Sequence, residues 1–128
     1  MAAVRTELGR FLALAGHRFN HGESATPMFS GAIDAAWHEL AEDPAAHEAF
    51  SVEHAGAVVR HVEGGGEGFV LWVSAYEEAY GPLPVVWFTD ADGHIDEAAF
   101  SAYQETGKVW ASWNCGPEFT PADEAASE

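Results

Sequence analysis

The sequence predicts a mostly α, compact single-domain fold of about five helices with one or two short strands. Apolar residues recur at helical spacing in five separate stretches. Gly, Pro and helix-capping residues separate these stretches, and β-branched residues cluster in only two short runs, 57–62 and 84–88. Hydrophobic residues make up 48% of the 128-residue chain and include five Trp, enough to form a core without disulfides.

The first predicted helix is amphipathic and ends at Gly16. Its apolar face consists of Val4, Leu8, Phe11, Leu12 and Ala15. The next stretch, 17–30, is rich in Gly, Pro, Asn and Ser and is predicted to be a loop. It contains His17 and His21, four residues apart. We interpret them either as solvent-facing loop histidines or as additional ligands over a neighbouring site.

Two further helices follow, each with a capping residue at its start. Ser30 is a suitable N-cap for the second helix. The buried stripe of this helix is expected to be Ile33, Trp37, Leu40 and Ala41. Asp43 and Pro44 predict the N-cap and the first residue of the third helix, and Gly56 predicts its C-terminal end.

The second half of the chain predicts two more helices and the strands. An aromatic stripe within 69–80 predicts the fourth helix, which is expected to end at Gly81. Asp96 is the expected N-cap of the fifth helix, which is expected to end at Gly107. The runs 57–62 and 84–88 predict short strands, and the glycine-rich 63–68 between them predicts a flexible loop. Residues 108–119 are expected to be extended. Residues 1–116 are predicted to be the globular domain, and 117–128 an acidic, disordered tail.

Composition excludes several classes of partner. Five Lys and Arg against 21 Asp and Glu give a net charge of −16, which argues against nucleic acid and against an anionic membrane. A small-molecule ligand or a basic protein remains as the expected partner. The single cysteine, Cys115, excludes an internal disulfide. Without a signal pattern at the N-terminus or an apolar run of about 18 residues, we expect a cytoplasmic protein.

The stretch from Ser30 to His61 carries the residues that suggest chemistry. Asp34 and His38 stand four apart on the second predicted helix, so their side chains can meet. A carboxylate beside an imidazole fixes its tautomer and raises its basicity, which suits a metal ligand or a general base. A surface ion pair would show the same spacing. The turn after residue 89 resembles part of an EF-hand loop, but Phe88 and Ala99 occupy the two positions that need carboxylates, so we reject calcium there.

The middle of the chain, about residues 30–88, resembles the glycine-rich domain-containing protein-like family. The first part of the resemblance rests on Asp34, Trp37-His38, Phe50-Ser51, Gly56 and His61. The second part rests on Trp72, Ala75-Tyr76, Tyr80-Gly81, Leu83-Pro84 and Trp87. The chain departs from the family pattern at Ser51, where the family tends to have Cys, at His47, where it tends to have Tyr, and after His61, where a Pro usually follows. The resemblance implies a mostly helical fold and draws attention to Asp34, His38 and His61 as a set.

Three functional hypotheses follow, beside a purely structural role in which Trp37 and His38 pack and hydrogen-bond inside the core. In the first, the protein binds a divalent metal, zinc or iron, through Asp34, His38 and His61, with His17 and His21 as possible additions, and is a metal-binding protein or a metalloenzyme. This requires the chain to fold back so that both imidazoles and the carboxylate face one cavity. In the second, a non-enzymatic acidic module, immunity-like or regulatory, binds a basic protein. In the third, His38 and Asp34 are the catalytic residues of a metal-free acid–base enzyme.

Overall fold

Five α-helices, one 3₁₀ helix and two strands make up the part of the chain that this computed structural model describes, residues 2–22 and 26–119. In chain order they are α1 (Ala2–Asn20), α2 (Gly31–Ala41), α3 (Pro44–Ala55), β1 (Val59–Phe69), α4 (Val73–Tyr80), the 3₁₀ helix (Val85–Phe88), α5 (Glu97–Thr106) and β2 (Trp110–Phe119). The predicted mostly α fold is therefore confirmed. No helix in these ranges has the length and hydropathy needed to cross a membrane.

The predicted helix ends are set by local hydrogen bonds. The side chains of Ser30, Asp43 and Asp96 each accept a hydrogen bond from the backbone N–H three residues along, at the starts of α2, α3 and α5. Gly56 and Gly107, which end α3 and α5, both have a φ of 74°. This left-handed conformation closes a helix at little cost for glycine. These boundaries were readable from the sequence because they depend on neighbouring residues.

The core is aromatic and joins α1, α2, α4 and the 3₁₀ helix. Trp37, Trp72 and Trp87 are fully buried. Their rings surround Phe11 of α1 at centroid distances of 5.8, 5.6 and 5.8 Å, within the range of favourable aromatic contacts. The core thus fixes the orientation of α2, the helix that carries Asp34 and His38.

Helix α1 continues through Gly16 to Asn20, so the predicted loop start at residue 17 was wrong. Gly16 is buried against α3, and a Cβ atom added to it would lie 2.7 Å from the carbonyl oxygen of Ala55. The glycine therefore permits close packing of two helices. Its local tendency to end a helix is overridden by this contact.

The predicted flexible loop 63–68 lies inside β1, which pairs antiparallel with β2. Backbone pairing needs no side chain, and Gly66 leaves room for its partner: a Cβ atom there would lie 2.6 Å from Nε1 of Trp113. The pairing shifts register between Glu63 and Gly66, as at a β-bulge. Strand β2 runs to Phe119, three residues into the segment 117–128 predicted to be disordered. The remainder, 120–128, lies outside the described residues.

The second predicted strand, 84–88, is instead the 3₁₀ helix. Trp87 and Phe88 are both buried, whereas consecutive residues of a strand point to opposite faces. A helical turn lets both rings enter the core. Phe69, assigned to the fourth helix from its aromatic spacing, is the last residue of β1.

Candidate metal centre

Helix α2 places Asp34 and His38 one turn apart. Nε2 of His38 lies 3.3 Å from Oδ2 of Asp34, so the side chains meet as their spacing predicted. The His38 side chain is 60% exposed and that of Asp34 29%. Taken alone, this is a surface pair, and such pairs contribute little to stability.

Strand β1 brings His61 to the same carboxylate from 27 residues along the chain. Nε2 of His61 lies 2.9 Å from Oδ1 of Asp34, and the His61 side chain is only 12% exposed. The rings of His38 and His61 are 4.2 Å apart at their centroids, and those of Trp37 and His61 are in T-shaped contact at 4.5 Å. One ligand atom from each of Asp34, His38 and His61 lies within 4.8 Å of the others. The two imidazoles and the acid therefore share one site.

Strand β2 places Cys115 beside the site, a contact that the sequence did not predict. Cys115 pairs with Glu63 and Pro117 pairs with His61, so Cys115 and His61 are diagonal neighbours on one face of the sheet. The Cys115 thiol donates a hydrogen bond to Oδ1 of Asp34 at 3.1 Å and is buried. The contact of this thiol with Asp34 follows from the pairing of β1 with β2, whose register could not be predicted from the sequence.

His47 of α3 contacts the site indirectly, through Trp37. Nε1 of Trp37 donates a hydrogen bond to Nε2 of His47 at 3.0 Å, which fixes the indole that packs on His61. Burial lowers the pKa of His47, and the nearby His61 lowers it further. Both effects favour the neutral ring that accepts this hydrogen bond.

His17 and His21 stay together but apart from this site. Their rings are 4.2 Å apart at the C-terminal end of α1, and Nδ1 of His21 lies 2.8 Å from the carbonyl oxygen of His17. Among the described residues, neither belongs to the Asp34 group.

A second group with ligand-like spacing, Asp90, Asp92 and His94, lies exposed in the turn before α5. Oδ1 of Asp90 accepts hydrogen bonds from the backbone N–H groups of Asp92 and His94, both at 2.9 Å. Both hydrogen bonds lower the pKa of Asp90, and the bond from the backbone N–H of His94 has the larger effect. These hydrogen bonds stabilise a turn, and the turn accounts for the proximity of the three side chains.

No family model, curated protein or solved structure matches the chain. The resemblance to the glycine-rich domain-containing protein-like family therefore stays a prediction.

Proposed function

We propose that the protein binds a divalent metal ion through Asp34, His38 and His61. The observation that carries the proposal is the convergence of these three side chains, one carboxylate and two imidazoles from α2 and β1, on one partly open site. Asp34 lies between the imidazoles, with an oxygen within 3.3 Å of each Nε2 atom.

The spacing suits an ion. Bonds of about 2.1 Å from nitrogen and oxygen to zinc place neighbouring ligand atoms about 3.4 Å apart in a tetrahedral site. The nitrogen–oxygen separations of 2.9 and 3.3 Å are close to this value. Binding would require each Nε2 atom to present a lone pair instead of a proton, so uptake would release protons and weaken at acid pH.

Two imidazoles and one carboxylate favour zinc or iron over calcium and magnesium, which prefer oxygen ligands. The exposure of His38 leaves one side of the site open to solvent. A metal bound there would act as a Lewis acid, and the open side of the site would admit water or a substrate. The proposal therefore extends to a metalloenzyme acting on a small molecule.

Metal content and affinity test this proposal. Protein purified without a tag should retain zinc or iron at close to one equivalent by elemental analysis. After removal of metal, His61→Ala and Asp34→Asn should each weaken zinc binding about 100-fold or more in competition titrations, because even partners outside the coordination sphere contribute 10–100-fold. His21→Ala, a change at an exposed histidine outside the group, serves as the control and should leave affinity unchanged.

A stoichiometry below a few tenths of an equivalent, or equal zinc affinity in the wild type and His61→Ala, would count against a metal site. The second candidate would then be metal-free acid–base chemistry. It is favoured by one observation: the Asp34 carboxylate contacts both imidazoles directly. Because Nε2 of His38 faces Asp34, Nδ1 would be the atom that exchanges the substrate proton.

A cytoplasmic location is part of this proposal. Cys115 is the single cysteine of the sequence, and its buried thiol is hydrogen-bonded to Asp34. A reducing compartment keeps such a thiol intact beside the metal ligands.

A further inference from the structure

A cavity of about 500 Å³ opens between the 3₁₀ helix, the turn 89–96, the start of α5 and the start of β2. Four aromatic side chains contribute to its lining: Trp110 is exposed, Phe29 is half-buried, and Trp87 and Phe88 are buried behind them. Its volume lies in the range of small-molecule sites. Asp34, His38 and His61 are not among its lining residues, so it is separate from the candidate metal centre.

The charged residues along this cavity are acidic. Asp90 and Asp96 line it together with His94, and among the described residues no Lys or Arg does. Each aspartate uses Oδ1 to accept a hydrogen bond from local backbone N–H groups. These bonds hold the side chains in place, and at Asp90 they favour the charged form, since its pKa is lowered. The cavity therefore combines aromatic walls with fixed negative charge.

We propose that this cavity binds a small organic ammonium ion that carries an apolar or aromatic body. The faces of aromatic rings attract cations, Trp most strongly, and the two carboxylates add direct charge complementarity. A net charge of −16 further raises the local concentration of cations and repels anions. The apolar part of such a ligand would cover Phe29, Phe88 and Trp110.

Trp110 is the more exposed of the two Trp residues that line the cavity, and it provides the signal for a titration. It is 59% exposed, whereas Trp87 is fully buried, and its ring contacts Phe69 at a centroid distance of 4.9 Å. A ligand in the cavity would cover the indole of Trp110. Both the indole N–H resonance and the fluorescence of this residue should change on binding.

Benzylamine is a suitable probe because two compounds of similar size differ from it in charge. Titrations followed by NMR should show benzylamine shifting the resonances of Trp110 and of 89–96, with benzyl alcohol binding about tenfold more weakly and benzoate not detectably. Increasing salt should weaken benzylamine binding more than benzyl alcohol binding.

Matched substitutions assign the effect to this cavity. Asp90→Asn and Asp96→Asn keep the oxygen that accepts the backbone hydrogen bonds but remove the charge, and each should weaken benzylamine binding about threefold or more. Asp92→Asn removes the same charge from the same turn at a residue that does not line the cavity, and its effect should be smaller. His21→Ala, a change at an exposed residue that does not line the cavity, should leave benzylamine binding unchanged.

Three results would overturn the proposal. The first is no shift with benzylamine, and the second is equal affinity for benzyl alcohol, which would mean an apolar slot without cation recognition. The third is equal weakening by Asp90→Asn and Asp92→Asn, which would mean diffuse attraction to an acidic protein. Thermal melts of each variant exclude unfolding as the cause of lost binding.

Discussion

At the scale of single residues, Asp34 is the point at which three elements meet. It lies on α2, contacts His61 from β1 and accepts a hydrogen bond from the Cys115 thiol of β2. Cys115 is not in the group of three ligand atoms that lie within 4.8 Å of one another. We therefore treat its thiol as the group that orients Asp34, the usual function of partners behind a metal ligand.

Substitutions of Cys115 should show whether its thiol orients Asp34 or binds the metal itself. Cys115→Ala removes the donor to Asp34 and should weaken metal binding about tenfold. Cys115→Ser keeps a donor and should bind nearly as well as the wild type. In the cobalt-substituted protein, the near-ultraviolet absorption band of a thiolate–cobalt bond should be absent. Observation of that band in the wild type, and its loss in Cys115→Ser, would instead make Cys115 a ligand.

His47 should make the metal-free protein sensitive to mild acid. Because its pKa is lowered in the folded state, the unfolded chain binds a proton first as pH falls through the ordinary histidine value of 6.5. The contribution of His47 to the free energy of unfolding should therefore be fully present above this pH and decrease below it. His47→Gln, which still offers an acceptor to Trp37, should show a smaller decrease between about pH 7 and pH 5 in urea unfolding.

His21→Gln is the matched control for this pH series, since His21 is exposed and its replacement should leave the wild-type pH dependence in place. Curves for wild type and His47→Gln that run parallel across the range would show that His47 does not contribute. The carboxylates are the same in all three proteins, so a difference between the curves is not due to them.

At the scale of elements, the contact between α1 and α3 depends on Gly16. Gly→Ala in a helix interior normally stabilises by up to about 1 kcal/mol. Here the added methyl group would lie 2.7 Å from the backbone oxygen of Ala55, and backbone cannot rotate away as a side chain can. We expect Gly16→Ala to lower the free energy of unfolding by about 1–3 kcal/mol, measured in urea. Asn20→Ala, at an exposed position of the same helix, should change it little, and equal stability of both variants would contradict this packing.

The elements that the sequence predicted well are those determined locally. The caps at Ser30, Asp43 and Asp96 and the turn at Gly56 formed as expected because each needs only residues within one turn. The Asp34–His38 pair was predictable for the same reason. The 63–68 segment was not, since its strand conformation comes from pairing with β2.

Residues that act through distant contacts were missed. Glu7 of α1 is buried and accepts hydrogen bonds from the Tyr76 hydroxyl and the Trp87 indole N–H, contacts that no sequence pattern predicted. Tyr76 and Trp87 lie about 70 and 80 residues away in sequence. Hydropathy patterns assign a lone Glu to solvent. Only the folded chain shows that this carboxylate satisfies two buried donors.

At the scale of the whole molecule, charge opposes compactness. With 21 acidic and five basic side chains, we expect mutual repulsion to exceed the attraction of the ion pairs found among the described residues, so screening should stabilise the fold. Raising salt from about 0.01 to 0.15 M shortens the Debye length from about 30 to 8 Å. We expect the melting temperature of the metal-free protein to rise by about 3–5 °C, equivalent to about 1 kcal/mol in a domain of this size.

A charge-reduced variant separates screening from other effects of salt. Glu48, Glu78 and Glu105 are exposed, and replacing all three with Gln removes repulsion without touching the core or the candidate sites. This variant should melt higher than the wild type at low salt and should gain less from added salt. A wild-type melting temperature that falls with salt would mean that attractive pairs outweigh repulsion, and the acidic surface would then be a stabilising network. An equal gain in both proteins would assign the effect to stronger burial of apolar surface by salt, because that effect does not depend on the three carboxylates.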